Sequence, residues 1–267
     1  MKQFFRFFVI FTMMCIVPGL STSAQGVAFL PGIMSYQKAD MLSVGYSSQL
    51  DTYLSPEHYA GVELRYIGER TKWHKFPCSY FSFTSQGYIS ETSPRSENAD
   101  NLSAMYELSA GYFKMNMQPY WGKLFLSLGA QVDALIGGVY NTRNGNNPAQ
   151  LHTGLDIAPA VKASYIFSLF KKQMKLNYEA SLPLLGLQFS PAYGQSYYEI
   201  FSEGNYDHNI CFTSPFNALS FENLLTLDIP LKRGAIRVGY LGDFRQAKLN
   251  DIKFHNFTHG FVIGWTR

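Results

Sequence analysis

Eleven ionisable side chains lie at regular positions in strand-like segments, where charged groups could pair with one another, select ions or hold a ligand. They are Glu63, Arg65, Glu107, Asp133, Asp156, Lys162, Lys175, Glu179, Glu222, Asp228 and Arg237. Seven of them are acidic and four are basic. In a shared enclosed space, opposite charges form hydrogen-bonded pairs, and a surplus of acid favours cations if water passes through. The elements that carry these residues decide whether they share such a space.

Four consecutive segments alternate between apolar and polar residues. They are 102–112, 124–136, 155–167 and 174–184. Because successive side chains of a strand point to opposite faces, each segment predicts a strand with one apolar and one polar face. A soluble β-sandwich has the same period, with its apolar face against a second sheet. Here the polar face combines charges with Gly, Ala and Ser, which is typical of a narrow lumen, so we expect the apolar face to contact lipid.

The first 24 residues resemble a secretory signal peptide. Lys2 and Arg6 come first, an apolar stretch runs from Phe7 to Val17, and small residues end at Ala24. This stretch is too short to span a bilayer as a helix, and no apolar run of 18 or more residues follows. We expect an exported mature chain of residues 25–267 that forms one domain and has no transmembrane helix.

The composition points to a membrane-embedded protein more than to a soluble one. Charged residues make up 15% of the chain, and it contains 18 Tyr and 22 Phe. Removing Lys2 and Arg6 with the signal lowers the 22 basic residues to 20, against 19 acidic ones. A balance this close to neutral gives no reason to expect nucleic acid as a partner.

Short and long connections alternate along the predicted strands. The short ones are 51–57, 114–121, 168–172 and 230–234, and the long ones are 68–101, 137–150, 186–215 and 242–256. This parity predicts an all-β, up-and-down antiparallel transmembrane β-barrel with periplasmic termini. The ten predicted strands are 26–36, 41–50, 58–67, 102–113, 122–136, 151–167, 173–185, 216–229, 235–241 and 257–266. Residues 79–89 and 192–201 also alternate, so twelve strands is the alternative.

The last predicted strand gives a second indication of a transmembrane barrel. Phe257, His259, Phe261, Ile263 and Trp265 share one face of an amphipathic C-terminal segment. Such a segment resembles the recognition signal of the outer-membrane barrel assembly machinery, although the chain ends in Arg267 where many barrels end in Phe or Trp. Together with hairpin parity and the Ala24-Gln25 cleavage site, it makes the chain similar to small outer-membrane β-barrel proteins of Bacteroidota with no assigned activity. The resemblance implies outer-membrane lipid and the assembly machinery as partners.

The sequence offers no convincing catalytic or metal site. His259 is expected on the lipid face near the outer rim, but no Ser lies two residues away on its strand. His255 and His259 would be more than roughly 12 Å apart along a strand, too far to share a metal. We therefore predict no catalytic residue, metal ligand or cofactor. Cys78 and Cys211 fall in predicted outer loops, where they could form a disulfide or remain free thiols.

Three functions remain open at this stage. The leading hypothesis is a non-enzymatic outer-membrane barrel with a structural or interaction role, or a narrow pore with a charged lumen. The second is a soluble secreted β-sandwich that binds carbohydrate or protein, and the third is a barrel enzyme that modifies lipids. An extracellular ligand could bind the aromatic loop residues, which are Trp73, His74, Phe76, Tyr80, Phe81, Tyr193, Tyr197, Tyr198, Phe201 and Tyr206.

Overall fold

The computed structural model describes residues 36–74, 79–115, 123–145, 147–169, 172–206 and 208–267. The predicted signal, residues 1–24, lies outside this range. So does the first predicted strand, 26–36, apart from Tyr36. Within the described residues, no helix is long and apolar enough to cross a membrane.

Twelve strands and one short helix make up the described chain. They are β1 (Tyr36–Asp51), β2 (Ser55–His74), β3 (Ser79–Pro94), β4 (Asn101–Met115), β5 (Leu124–Asn141), β6 (Ala149–Leu169), β7 (Lys172–Ser181), β8 (Leu185–Phe189), α1 (Tyr197–Phe201), β9 (Ile210–Thr213), β10 (Ser220–Leu231), β11 (Gly234–Leu249) and β12 (Ile252–Thr266).

Ten of the strands close into one antiparallel barrel. Going round the wall, the order is β1 to β7, then β10, β11 and β12. The first and last strands close it, with Ala39 opposite Thr266 and Gly45 opposite Gly260. Strands β8 and β9 form an additional hairpin that pairs with the upper part of β6. The predicted ten-stranded up-and-down barrel is therefore confirmed, and the single closed sheet excludes a two-sheet sandwich.

The set of ten strands that forms the barrel differs from the predicted set by one strand. Residues 79–94 form the full barrel strand β3, although all of them fall within the predicted long connection 68–101, where 79–89 was the alternative strand. This strand completes the ring of ten among the described residues. Residues 192–201, the other segment considered as a strand, contain the turn and capping box that begin α1. Ser196 and Glu199 form this box by exchanging side-chain to backbone hydrogen bonds, which favour a helix start over a strand.

The barrel has two rims that differ in their connections. The terminal rim carries the start of β1, the end of β12 and the joins β2–β3, β4–β5, β6–β7 and β10–β11. The loop rim carries the connections 52–54, 95–100, 142–148, 182–219 and 250–251. Three predicted short connections lie at the terminal rim as expected. The fourth, 51–57, lies at the loop rim instead, because the chain described here enters the barrel with residues 36–51.

Apolar side chains cover the outside of the barrel and charged ones fill the inside. Val44 is 56% exposed and Phe261 is 62% exposed, whereas Glu63 and Asp228 are buried. This is the reverse of a water-soluble domain, in which exposed strand faces are polar. The register produces the pattern, because each odd position of β2 from Glu63 to Glu69 points inward and each even position outward.

Candidate functional site

The structure places all eleven predicted charged residues on the inner face of the barrel, at two levels. The lower tier, nearer the terminal rim, consists of Glu69, Lys162, Lys175, Glu179, Asp228 and Arg237. The upper tier, nearer the loop rim, consists of Glu63, Arg65, Glu107, Asp133, Asp156, Glu222, Asp243 and Arg245. Glu69, Asp243 and Arg245 join these tiers in addition to the predicted residues.

The lower tier is electrically balanced, with three basic and three acidic side chains. Lys162 Nζ lies 2.6 Å from Glu69 Oε1 and 2.6 Å from Glu179 Oε2. Arg237 donates to both carboxylate oxygens of Asp228, at 2.6 and 3.0 Å, in the bidentate geometry that suits guanidinium. It also lies 3.3 Å from Glu69, so one connected network spans strands β2, β6, β7, β10 and β11.

Two guanidinium groups organise the upper tier. Arg65 is almost completely buried between Glu63 and Asp243, with nitrogen to oxygen distances of 2.8 Å to each. Arg245 lies 2.6 Å from Glu107 Oε2 and 2.9 Å from Asp243 Oδ1. Each buried carboxylate named here therefore has a cationic partner and hydrogen bonds, which offset the cost of removing its charge from water.

Several of these contacts cross the full width of the lumen. Arg245 on β11 and Glu107 on β4 are five strands apart in a ring of ten, so they come from opposite walls. Gln86 on β3 reaches Glu222 on β10, again five strands away, with a 2.7 Å hydrogen bond. A ten-stranded barrel is narrow enough for side chains from opposite walls to fill it. In the lower tier, the contact between Lys162 and Glu69 joins β6 to β2, four strands away. The two tiers thus obstruct the lumen at two successive depths.

A third bridge closes the mouth of the barrel. Asp51 on β1 and His152 on β6 also face each other across the ring, with Oδ2 and Nε2 3.1 Å apart. Above them, the Tyr53 hydroxyl donates a 2.9 Å hydrogen bond to the Gln195 carbonyl, which ties the β1–β2 turn to the 182–219 connection. Burial, with the nearby charge of Asp51, raises the pKa of Tyr53 to about 12. The phenol therefore stays protonated and keeps donating at neutral pH.

The upper tier has more acid than base. Its six carboxylates, on Glu63, Glu107, Asp133, Asp156, Glu222 and Asp243, face two guanidinium groups, on Arg65 and Arg245. Asp133 accepts a hydrogen bond from Gln131, and Asp156 accepts from Thr213 and Gln188. All three donors are neutral. The lumen's surplus of carboxyl groups over basic groups is therefore concentrated in its upper half.

The residues missed by the sequence analysis lie where predicted strands ended too early or, for Gln86, in a segment offered only as an alternative strand. Asp243 and Arg245 were assigned to the 242–256 loop, and Glu69 and Gln86 to the 68–101 loop. In β11 the inward face continues without interruption from Arg237 to Arg245 at odd positions, and this unbroken period was the signal that could have found them.

A single family model covers nearly the whole chain. It is described as "Protein of unknown function (DUF3316)", and it matches residues 9–267. The chain belongs to this family. The predicted resemblance to a family without an assigned activity is thereby confirmed, whereas the origin in Bacteroidota stays a prediction. Among curated proteins, no sequence matches this DUF3316 chain.

Solved structures similar to this DUF3316 chain share little sequence with it. Neisserial surface protein A is 11% identical, with a TM-score of 0.33 and coverage of 86% of this chain and 95% of that one. The transport unit of the autotransporter AIDA-I from Escherichia coli is 7% identical, with a TM-score of 0.42 and coverage of 94% and 92%. The β domain of the Bordetella autotransporter BrkA is 11% identical, with a TM-score of 0.37 and coverage of 86% and 98%.

The histidines and cysteines of this DUF3316 chain show no catalytic arrangement within the described residues. His259 lies on the outer face, and its Nδ1 is 2.6 Å from the Tyr240 hydroxyl. No three His, Cys, Asp or Glu side chains in the described ranges are placed to hold a metal ion. Cys211 on β9 is a free thiol near the loop rim, and Cys78 lies outside the described residues. The possible disulfide between Cys78 and Cys211 therefore stays a prediction.

Proposed function

We propose that this chain is an integral outer-membrane barrel whose lumen is closed by its own ion pairs, and that it serves a structural or interaction role without catalysis. The observation that carries this proposal is the pair of charged tiers that cross the lumen at two depths. Of the two roles left open by the sequence, the narrow pore is the weaker one, because Arg245, Gln86 and Lys162 occupy the path that ions would take.

The outer surface supports a position in the membrane. Exposed apolar side chains surround the barrel, including Val44, Leu128 and Phe261. Tyr112, Tyr165 and Trp265 lie exposed near the terminal rim, at the ends of β4, β6 and β12. Aromatic residues of this kind mark the interface in transmembrane barrels. We further propose removal of residues 1–24 on export and recognition of β12 by the barrel assembly machinery.

An interaction role would use the loop rim. Tyr193, Tyr198 and Tyr206 project from the 182–219 connection with most of their surface exposed. Tyrosine side chains have only two rotatable side-chain angles, so they lose little conformational entropy when a partner binds. We propose this connection as the contact surface for an extracellular ligand.

Insertion of the barrel into a membrane and closure of its lumen can be tested on one preparation. Purified mature protein mixed with lipid vesicles is expected to float with them, to resist carbonate extraction and to give a compact unheated band on a gel. The same vesicles are expected to swell no faster in an isosmotic sugar solution than protein-free vesicles do. Release by carbonate without a compact band would contradict the membrane barrel, and swelling above the control would favour the pore.

A charge on the outer face is expected to destabilise the barrel according to depth. Val44 lies halfway along β1 with its side chain exposed, so Val44→Arg in vesicles should cost about 2–4 kcal/mol of unfolding free energy. Glu91→Arg, on the outer face of β3 near the loop rim, should cost about 0–1 kcal/mol. Urea titration followed by tryptophan fluorescence measures both. Equal small losses would show that Val44 faces water.

The non-enzymatic part of the proposal has its own test. His259→Ala removes the histidine best placed for chemistry on lipids, at the outer face beside Tyr240. Cells that carry this variant are expected to have the same lipid A and phospholipid profiles as cells with the natural chain. A changed profile would favour the lipid-modifying enzyme instead.

A further inference from the structure

A cavity of about 80 Å³ lies within the upper tier, below the loop rim. Five carboxylates line it, on Glu107, Asp133, Asp156, Glu222 and Asp243, together with the guanidinium of Arg245. Its remaining walls include Phe189, Phe221 and Leu249. The cavity is therefore both acidic and partly apolar.

The barrel wall beside this cavity is not a continuous hydrogen-bonded sheet. The ladder between β7 and β10 ends where Ser181 meets Glu222, and the ladder between β10 and β11 ends where Ser220 meets Arg245. Above these points β6 pairs with β8, and β8 pairs with β9. Within the described residues, β9 and the upper part of β11 form no ladder with each other. We call this break between β9 and β11 the seam.

Loop contacts, instead of strand pairing, hold the two sides of the seam together. The Lys248 amide donates a 2.7 Å hydrogen bond to the Asn217 carbonyl. Asn250 Nδ2 donates to the carbonyl of Ser190 at 3.0 Å. Isolated contacts of this kind separate at a lower free-energy cost than a cooperative ladder.

The cavity borders the barrel wall at the seam. Glu222 and Arg245 point into the lumen, whereas their chain neighbours Phe221 and Gln246 point to the outside, because strand side chains alternate. All four residues line the same cavity. The cavity therefore lies directly against the wall at the seam, where residues of both faces border it.

The outer surface next to the seam is strongly apolar. Phe212 on β9 is 60% exposed, and Phe216 in the following connection is fully exposed. Leu219 and Phe221 continue this patch towards β10. In the proposed membrane position these side chains would contact lipid chains, so the seam lies beside a lipid-facing apolar patch.

We infer that the seam is a lateral portal at which an amphiphile with an ammonium head group binds. The head group enters the cavity between Asp156 and Glu222, and the apolar tail lies on Phe212, Phe216 and Leu219. The cavity volume corresponds to a few water molecules, which suits a small ammonium group with its first methylenes. Five carboxylates against one guanidinium exclude an anionic head group.

A panel of matched ligands tests this inference on the natural chain. Native mass spectrometry of the folded protein in non-ionic detergent compares decylammonium, decanol, decanoate and ethylammonium. Decylammonium is expected to bind at least about tenfold more tightly than the other three, which corresponds to about 1.4 kcal/mol. Equal binding of decylammonium and decanol would show that the carboxylates do not select the head group. Equal binding of ethylammonium would show that the tail and the portal play no part. Either result overturns the inference.

Variants locate the site. Asp156→Asn combined with Glu222→Gln should reduce decylammonium binding to the decanol level, while the exposed Glu91→Gln should leave it unchanged. Ala247→Trp fills the cavity beside the seam and should also abolish the preference, whereas Ala134→Trp adds the same ring to the outer face of β5. Each variant is first checked for the compact unheated band. Unchanged binding in the folded Asp156 and Glu222 double variant would contradict the site.

The inference rests on the membrane position proposed above, but experiments can contradict the portal and the proposed function separately. A protein that floats with vesicles and shows no head-group preference would remove the portal alone. A protein that does not float would remove the proposed function, whatever the ligand panel shows.

Discussion

Replacing Arg65 by methionine is expected to destabilise the barrel by about 3–5 kcal/mol, the range found when one partner of a buried ion pair is removed. Arg65 is 1% exposed and lies 2.8 Å from carboxylate oxygens of both Glu63 and Asp243, which are buried as well. Methionine has a similar length but no charge and no donors. Glu63 would then remain buried without a cationic partner, and Asp243 would keep only Arg245.

The exposed pair between Arg70 and Asp40 is a matched control. Its nitrogen to oxygen distance is 2.7 Å, but its side chains are 23% and 36% exposed. Arg70→Met should therefore cost only about 0–1 kcal/mol, because water already screens this pair. Urea unfolding in vesicles, followed by tryptophan fluorescence, gives both values. Equal losses in the two variants would contradict the view that desolvated charge pairs stabilise the lumen.

A compensating variant separates charge from packing. Adding Glu63→Gln and Asp243→Asn to Arg65→Met removes all three charges while keeping side chains of similar size. Replacing a complete buried ionic group by neutral residues is often close to neutral for stability. We expect this triple variant to recover most of the loss, and no recovery would show that Arg65 acts through its shape.

The second large effect is the opening of the lumen. In the upper tier, Gln86→Ala, Glu107→Ala and Arg245→Ala together remove the side chains that reach across between opposite walls. In the lower tier, Glu69→Ala and Lys162→Ala remove the main bridge. Each set is neutral in charge. A barrel that keeps either tier should stay closed, and the barrel that lacks both should conduct.

The opened barrel should prefer cations. After the five substitutions the upper tier keeps five carboxylates, on Glu63, Asp133, Asp156, Glu222 and Asp243, against the guanidinium of Arg65. The lower tier stays balanced. A fixed negative charge in a low-dielectric channel concentrates cations and repels anions. Reversal potentials in a salt gradient measure this preference, and current through a variant that keeps one intact tier would contradict the two-tier account.

The strand period made the barrel predictable from its sequence. Segments such as 102–112 and 124–136 place apolar residues at every second position, and these became β4 and β5. The alternation is weaker in β3, where Ser85 and Gly87 follow Phe81 and Phe83 on the outer face. Residues 79–94 therefore fell within the predicted 68–101 connection, with 79–89 offered only as an additional strand.

The contacts between charged residues were less predictable than their inward orientation. Alternation tells which face a side chain occupies, and it predicts an inward position for Glu107 and Glu222, where the structure places them. It does not tell the depth at which strands from opposite walls meet, which depends on the stagger of all ten strands round the ring. The sequence alone therefore could not show that Arg245 and Gln86 are the partners of these two carboxylates.

The central claim is that the charged tiers close the lumen of a membrane-spanning barrel, and single-channel recording of the natural chain in planar bilayers tests it most directly. We predict insertion, shown by the compact unheated band of the same preparation, without current steps above those of protein-free bilayers. Reproducible ohmic steps, carried mainly by cations, would contradict the account and establish the narrow pore instead.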